Sequence, residues 1–307
     1  QSHSLHFFYL ASPDILFGIN APAEKRNIVA VAQADRELAK KGILMRKFGQ
    51  EIIKALAGKK IHGILAVPGG VHKTFTKEER EYFLDGKQIP NVDTMIKWSK
   101  EIIDFMKNYH FENAQWIDNF AAYPSNHLGL VHKETGAMEL YDGDLRSIDS
   151  EGNELLNIPD TEYRNHFKEA VEPWSYLKFP YMTKYGREKG WNRVGPLARM
   201  NTCSHIPTPY AEIERQIFKG YTQNKPNNMT MHTHWARLIE MLHCAELMKE
   251  LLLDDDLMGT DLVTKGTPRS KGIGIIEAPR GTLIHEYHTD DKGLINQCTL
   301  IVSTTHN

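Results

Sequence analysis

The sequence predicts an α+β fold that is mainly α, in which a bundle of long helices carries small antiparallel β-sheets. Three stretches, near residues 24–56, 91–109 and 230–253, repeat apolar residues largely at the three- and four-residue steps of amphipathic helices. Short strand-like segments separated by turn residues occupy the middle of the chain and its last part. We therefore expect the sheets to be attached to a helical body.

Composition and charge narrow the class of protein. The 307 residues are 41% apolar and 25% charged with a net charge of −2, so we expect a globular chain that does not bind nucleic acid. The mean hydropathy is −0.46, and no apolar run approaches the roughly 20 residues of a membrane span. Three widely separated cysteines argue against a disulfide framework and for a reducing, cytoplasmic location.

We expect one domain over residues 1–307. Its helical part covers 1–125, a β meander with loops covers 126–207, and helices followed by strands cover 208–307. The boundaries follow the change from helical to strand-like spacing and back again.

The first long helix is predicted near residues 24–56, with apolar positions that include Ile28, Leu38 and Phe48. Gly58 supplies a stop, because glycine accepts the left-handed conformation that ends many helices. Gly42 marks an expected bend or break inside this stretch.

A short strand and two helix starts are predicted next. Ile61–Val67 is strand-like and runs into Pro68-Gly69-Gly70, which suits a tight turn. Thr76 and Glu79 have the spacing of a capping box, which predicts a helix start. Asn91 is expected to cap the second long helix.

The middle of the chain lacks the helical spacing of the first part. Alternating segments between Leu128 and Ile158, separated by glycine-containing turns, predict a small antiparallel meander. Residues 171–207 are rich in proline, glycine and aromatic side chains, and we expect an ordered loop region there. Helices should resume where Thr208 and Pro209 stand in the preferred N-cap and first-turn order.

The end of the chain predicts three strands joined by two turns. Asp290-Asp291-Lys292-Gly293 is expected to be the hairpin turn between the last two strands. In the other turn, Arg280 stands between Pro279, whose φ is fixed, and Gly281, which lacks a Cβ atom. Such a backbone can direct a guanidinium, although a surface turn whose arginine pairs with a carboxylate is the plainer alternative. The strands are expected at Gly272–Ala278, Thr282–Thr289 and Leu294–Val302.

Several histidines suggest metal binding, and we tested this by comparing their spacing with that of known metal sites. Glu240 and His243 form the Glu-x-x-His pair that di-iron helix bundles use twice, but no second copy is present. His3 and His6 lie in an aromatic segment, where we expect a buried, hydrogen-bonded structural role. The sequence has no P-loop, no Gly-x-Ser-x-Gly elbow and no dinucleotide fingerprint.

Several separated motifs occur in the same order as in a known family. The chain resembles the large subunit of nickel-iron hydrogenases, and within that family it looks most like the cytosolic, NAD-reducing branch. The resemblance covers essentially the whole chain. The motifs are Pro68-Gly69-Gly70, Val171–Pro180, Val194–Arg199, Glu277–Gly281, His285 after Thr282-Leu283-Ile284, and Thr304-Thr305-His306-Asn307.

The resemblance implies heterolytic cleavage or formation of hydrogen at a nickel-iron centre that carries carbon monoxide and cyanide ligands. It implies that Arg280, next to Pro279, lies over that centre as a base or an electrostatic partner. By the same resemblance, Thr304 donates to a cyanide, and the backbone carbonyl of Leu300 binds a magnesium ion. Ser2 falls where membrane-bound relatives have an acidic residue near nickel.

One departure from the family is expected to matter. The family holds nickel and iron with two Cys-x-x-Cys pairs, and residues 1–307 contain neither pair. The chain therefore resembles the central part of a catalytic subunit, inactive alone, and the remaining magnesium ligands are also expected outside it. The implied partners are a small iron-sulfur subunit, flavin-containing diaphorase subunits, hydrogen and protons. The alternative is a metal-free scaffold or subunit-interaction protein of the same fold.

Overall fold

The computed structural model describes residues 1–306, so Asn307, the last residue of the motif that begins at Thr304, lies outside the described residues. The chain divides into two compact units. The first consists of Gln1–Glu112 and Leu238–Thr267, and the second of Asn113–Arg237 and Pro268–Asn307. The expected single domain over residues 1–307 stays a prediction. No helix among the described residues has the length and apolarity needed to span a membrane.

The predicted α+β class is confirmed: long helices accompany several small sheets. The longest helices are α4, α6 and α12. A π-helix at His6–Ala11 lies between α1 and α2. The helices are α1 Ser2–Leu5, α2 Ser12–Phe17, α3 Ile28–Ala34, α4 Arg36–Ala57, α5 Lys77–Leu84, α6 Val92–Glu112, α7 Ala114–Ile117, α8 Tyr163–His166, α9 Gly186–Lys189, α10 Pro196–Thr202, α11 Pro209–Tyr221 and α12 Thr233–Leu253.

Eleven strands form four sheets in the described part of the chain. The strands β3, β4 and β5 are the predicted meander, to which β8 adds in parallel beside β3. The strands β9, β10 and β11 are antiparallel neighbours in the order β11-β10-β9. The strands are β1 Ala66–Val67, β2 Gly70–Val71, β3 Asn126–Val131, β4 Asp144–Ile148, β5 Glu154–Pro159, β6 Phe167–Val171, β7 Lys178–Met182, β8 Asn192–Arg193, β9 Lys271–Ala278, β10 Gly281–Thr289 and β11 Ile295–Ile301.

The prediction of a break at Gly42 is wrong. The chain breaks at Asp35, whose carboxylate accepts the Leu38 amide at 2.9 Å and caps α4. Gly42 lies inside α4, where an added Cβ atom would be 2.6 Å from Cγ of Phe8. This glycine therefore makes room for an aromatic ring. Gly58 ends α4 in the left-handed conformation, as predicted.

Two further predictions need correction. Only Ala66–Val67 of the expected strand Ile61–Val67 is extended, because Ile61 and Ile64 stay exposed and have no partner strand within the described residues. The expected loop region 171–207 contains the strands β7 and β8 and the helices α9 and α10. Proline at the start of α10 favours its first turn, a local signal that the loop prediction did not use.

Local capping and turn predictions are confirmed. Thr76 Oγ1 accepts the Glu79 amide at 3.2 Å and Glu79 Oε2 accepts the Thr76 amide at 3.0 Å, which completes the capping box of α5. Asn91 Oδ1 accepts the Thr94 amide at 3.0 Å at the start of α6. The Gly293 amide donates to the Asp290 carbonyl at 2.9 Å in the last hairpin.

The second unit contains an apolar core that joins several of its sheets. Its members come from the meander, from the β6–β7 hairpin and from the sheet of β9, β10 and β11. This shared core fixes the ends of these strands, where the candidate site residues lie. The buried members are Leu128, Leu130, Leu145, Ile158, Tyr163, Phe167, Met182, Val194, Ile275, Ile284 and Ile301.

Candidate active site

The turn between β9 and β10 carries the arginine that the sequence singles out. β9 ends at Ala278 and β10 begins at Gly281, and these two residues are paired across the hairpin. Pro279 and Arg280 form the connection, and both are exposed in this chain. The arginine therefore lies on a turn whose two ends are held by strand pairing.

Glu277, next to last in β9, is a buried carboxylate with several donors. Its Oε1 accepts the Leu130 amide at 3.1 Å and the Thr282 hydroxyl at 2.7 Å, while its Oε2 accepts from Arg199. Burial raises the pKa of Glu277, and the guanidinium of Arg199 and these donors oppose the rise. The carboxylate thus ties β9 to β3, β10 and α10.

Arg199 reaches the same turn from α10. It is 1% exposed, and its Nη1 donates to the Glu277 carboxylate and, at 3.1 Å, to the Ala278 carbonyl. Its Nη2 lies 3.5 Å from the Pro279 carbonyl. One buried guanidinium therefore contacts three successive residues that precede Arg280.

The start of α10 also approaches the turn through its backbone. Gly195 has a φ of +94°, and a Cβ atom there would lie 2.9 Å from the Arg280 carbonyl oxygen. Gly281 has a φ of +138°, and a Cβ atom there would lie 2.2 Å from Cγ2 of Val194. Both positions require glycine for the backbone angle and for the space. Two motifs that are separate in the sequence, Val194–Arg199 and Glu277–Gly281, are thereby brought together.

The end of β11 lies at the same end of its sheet as this turn. Ile301 of β11 pairs with Ile284 of β10, and the two strands are antiparallel. The residues after Ile301, including Thr304, therefore follow the strand end that neighbours the start of β10, where Arg280 precedes Gly281. Thr304 lies in the 3-10 turn Ser303–Thr305 and is exposed.

The other predicted site residues occupy different places. Leu300 lies on β11, pairs with His285 and is half-exposed at 45%. Ser2 begins α1 in the first unit. In that unit His3 Nε2 lies 2.7 Å from Glu240 Oε2, so the structure pairs Glu240 with His3, in agreement with the structural role expected for this histidine.

His306 is a further residue of interest that sequence reasoning did not single out. It is 9% exposed, and neither of its ring nitrogens has a hydrogen-bond partner within the described residues. Burial lowers its pKa to about 4, so the ring is neutral at pH 7. A buried imidazole without partners is unusual, because such polar groups are nearly always hydrogen-bonded.

The cysteines do not form a metal site in the described part of the chain. Cys203 follows α10 and is buried, and burial raises the pKa of its thiol. Cys298 lies on β11 and is exposed, whereas Cys244 belongs to the first unit. No disulfide joins any two of them. The three thiols therefore stay separate, and no pair of them forms a thiolate site for a soft metal within residues 1–306.

Comparisons with known proteins agree with one another. No family model matches the chain. The chain is 43% identical over 311 residues to the beta subunit of the NAD-reducing hydrogenase HoxS of Cupriavidus necator, covering 100% of this chain and 64% of that protein. It is 39% identical over 308 residues to the vhu F420-non-reducing hydrogenase subunit of Methanococcus voltae, covering 100% of this chain and 71% of that protein.

Solved structures show the same fold. The crystal structure of an NAD+-reducing NiFe hydrogenase in the H2-reduced state matches with a TM-score of 0.95 and 45% identity, over 100% of this chain and 67% of that one. The as-isolated oxidized Ni-Fe-Se hydrogenase of D. vulgaris Hildenborough matches with a TM-score of 0.73 and 17% identity, over 100% of this chain and 69% of that one. The second likeness concerns the fold alone.

Proposed function

Because the chain belongs to the nickel-iron hydrogenase large-subunit family, we propose that it is the body of a catalytic subunit that oxidises hydrogen reversibly. The chain spans 64% of the length of the HoxS beta subunit. The activity therefore belongs to the longer protein of which these residues are the body, and residues 1–307 alone are expected to be inactive. The observation that carries the proposal is the turn at Arg280. It is held by the pairing of β9 with β10, by the side chain of Arg199 and by the close approach of Gly195.

A nickel-iron centre with carbon monoxide and cyanide ligands would supply the site at which the hydrogen molecule is split. The residues present fit the periphery of such a centre, because anionic ligands need donors such as a guanidinium and a hydroxyl. His306, buried with both ring nitrogens unpartnered near this end of the sheet, points to a polar neighbour that is missing from the described residues. The thiolates that hold the metals lie outside residues 1–307 in this proposal.

Arg280 has two roles in this proposal. Its guanidinium supplies a planar fork of N–H donors and a positive charge, so in this proposal it acts as a hydrogen-bond donor and as an electrostatic partner of the reacting molecule. Pro279 directly precedes Arg280 and has a restricted φ and no amide hydrogen. It therefore limits the movement of the backbone that leads into the arginine. A charge held in advance of the reaction does not have to be reorganised when charge develops on the reacting molecule.

The remaining assignments concern the outer parts of the centre. Thr304 would donate its hydroxyl to a cyanide, and Ser2 would lie near the cofactor. The Leu300 carbonyl would be a magnesium ligand, since carbonyl oxygens suit this hard cation.

The proposed partners follow the NAD-reducing branch. A small iron-sulfur subunit would carry electrons, and flavin-containing diaphorase subunits would bind NAD, because the chain has no dinucleotide fingerprint. We propose a cytoplasmic location for the assembly. The metal-free scaffold is not favoured, because relatives at 43% and 39% identity are named as hydrogenases.

The test is hydrogen-dependent reduction of NAD by the full-length protein purified with its partner subunits. We expect reduction under hydrogen and none under argon. A complex that contains all its subunits but shows no hydrogen-dependent reduction of NAD or of an artificial electron acceptor would contradict the proposal. Reduction of the artificial acceptor alone would support the hydrogenase and reject NAD as the electron acceptor.

A further inference from the structure

We infer that Glu277 and Arg199 are positioning residues for Arg280. Their buried ion pair holds the β9–β10 turn in one conformation, which restricts the direction in which the Arg280 guanidinium points. The inference rests on the proposed role of Arg280. It assigns a task to two residues that do not touch the reacting molecule.

The contacts of the pair converge on the turn. Glu277 accepts from Thr282, which faces it across the hairpin, and from the Leu130 amide of the neighbouring strand β3. Arg199 donates to the Ala278 carbonyl at 3.1 Å and approaches the Pro279 carbonyl. The pair therefore fixes both strands of the hairpin at the turn and the backbone immediately before Arg280.

Stability alone does not explain this pair. The two side chains are 2% and 0% exposed, and removing two charges from water to this extent offsets most or all of their attraction. Apolar side chains of similar size often give equal or greater stability in such places. A pair whose arginine also reaches the carbonyls of Ala278 and Pro279 offers geometry that apolar packing does not provide, because hydrogen bonds are directional.

The same sheet contains a second carboxylate–arginine pair that serves as a comparison. Glu286 on β10 is 1% exposed and also pairs with an arginine, since Arg164 Nε donates to Glu286 Oε2 at 2.6 Å. Arg164 also donates to the Thr299 hydroxyl on β11, at 2.8 Å. This pair lies five positions further along β10 than Gly281. A buried carboxylate paired with an arginine is thus common to both sites, but the Arg164 side chain is 43% exposed. Arg199 is buried and also reaches the Ala278 and Pro279 carbonyls.

Glu277→Gln in the full-length complex is the central variant. The substitution keeps the size of the side chain but leaves Arg199 without its carboxylate, so the turn should loosen. A displacement of about 1 Å at a reacting centre commonly lowers a rate about 100-fold. We expect a loss of hydrogen turnover of about 10- to 100-fold at unchanged nickel content. Glu286→Gln, the control, should lower the unfolding temperature and keep the turnover within about twofold of wild type.

A double variant separates positioning from general damage. If Glu277 acts through Arg280, Glu277→Gln combined with Arg280→Lys should be no slower than Arg280→Lys alone. If Glu277 only stabilises the fold, the two losses should multiply, and that result would overturn the inference. Should Glu277→Gln fail to assemble, Arg199→Lys, which keeps the charge but loses the planar fork, is tested in the same cycle.

A spectroscopic readout is independent of turnover. The infrared bands of the diatomic ligands proposed for the centre should shift in Glu277→Gln in the same direction as in Arg280→Lys, and not in Glu286→Gln. Bands identical to wild type in Glu277→Gln would overturn the inference. A wild-type complex without nickel or turnover would instead reject the proposed function itself, so the two failures are distinguishable.

Discussion

Gly281 lies against Val194 so closely that a Cβ atom on the glycine would stand 2.2 Å from Val194 Cγ2. Real Cβ atoms are not found at such distances, so a larger residue would displace either β10 or the start of α10. This contact joins the turn at Arg280 to the segment that also supplies Arg199. Glycine at this position is therefore a structural requirement of the site.

Alanine at Gly281 should destabilise the full-length protein strongly. Its φ of +138° is unfavourable for a residue with a Cβ atom, and the contact with Val194 adds overpacking. We expect a loss of about 3 kcal/mol or more in the free energy of unfolding, measured by denaturant titration. Gly274→Ala is the control on neighbouring β9, because a Cβ atom there meets nothing within 4 Å. Equal effects of the two substitutions would contradict the close contact.

Gly42 in α4 allows a test in which helix propensity and packing oppose each other. Propensity alone predicts that Gly42→Ala stabilises the protein by about 1 kcal/mol. The added Cβ atom would lie 2.6 Å from Cγ of the buried Phe8, and overpacking of this kind costs about 1–3 kcal/mol. We therefore expect net destabilisation, measured as a lower unfolding temperature.

The control for Gly42 is a second helical glycine with free space around it. A Cβ atom at Gly220 in α11 meets nothing within 4 Å, so Gly220→Ala should stabilise the protein by up to about 1 kcal/mol. Stabilisation by both substitutions would mean that Phe8 does not pack against Gly42 as described.

The buried side chain of His127 should make the folded protein less stable in mild acid. Burial lowers its pKa to about 4, from an ordinary value of about 6.5, although the side chain of Asn228 contacts the ring at 3.2 Å. Between these values the unfolded chain binds more protons than the native one, so stability falls as the pH falls from 6.5 towards 4. This histidine alone should contribute a loss of about 2 kcal/mol between pH 7 and pH 5.

The check is the free energy of unfolding at pH 7 and pH 5. His127→Gln should reduce the difference between the two values, whereas His62→Asn, at an exposed position, should leave it unchanged. If the pH dependence is the same in His127→Gln as in the wild type, the assignment to this histidine is wrong.

Arg280→Lys tests the proposed role of the arginine in the parent enzyme. Lysine keeps the positive charge but lacks the planar fork, and removal of a preorganised donor commonly lowers a rate by about 100- to 1,000-fold. Nickel content should stay at the wild-type value, which separates a catalytic loss from a loss of metal. Full hydrogen turnover in this variant would refute the assigned role.

Much of the fold follows from patterns that are local in the sequence. The capping box at Thr76 and Glu79, the left-handed stop at Gly58 and the turn at Asp290–Gly293 each depend on residues within a few positions of one another. Gly42 resembles a break in the sequence because the ring that requires it, Phe8, lies more than thirty positions away. Close approach between distant segments leaves no periodic signal in a single sequence.

The candidate site likewise combines a residue that stands out in the sequence with residues that only the fold brings together. Arg280 stands out in the sequence because Pro279 and Gly281 restrict the backbone on either side of it. Glu277 and Arg199 stand 78 positions apart and look like ordinary surface charges until the fold buries them together. His306 lies in a motif of the family resemblance, but only the structure shows that its ring is buried and unpartnered within the described residues.

We propose that these residues form the body of a subunit that holds a nickel-iron centre. Metal analysis of the full-length protein, purified without oxygen, tests this together with hydrogen–deuterium exchange under deuterium gas. We predict stoichiometric nickel and iron and an exchange activity that requires both metals. A full-length protein with intact cysteine pairs that contains no nickel and catalyses no exchange would contradict the claim.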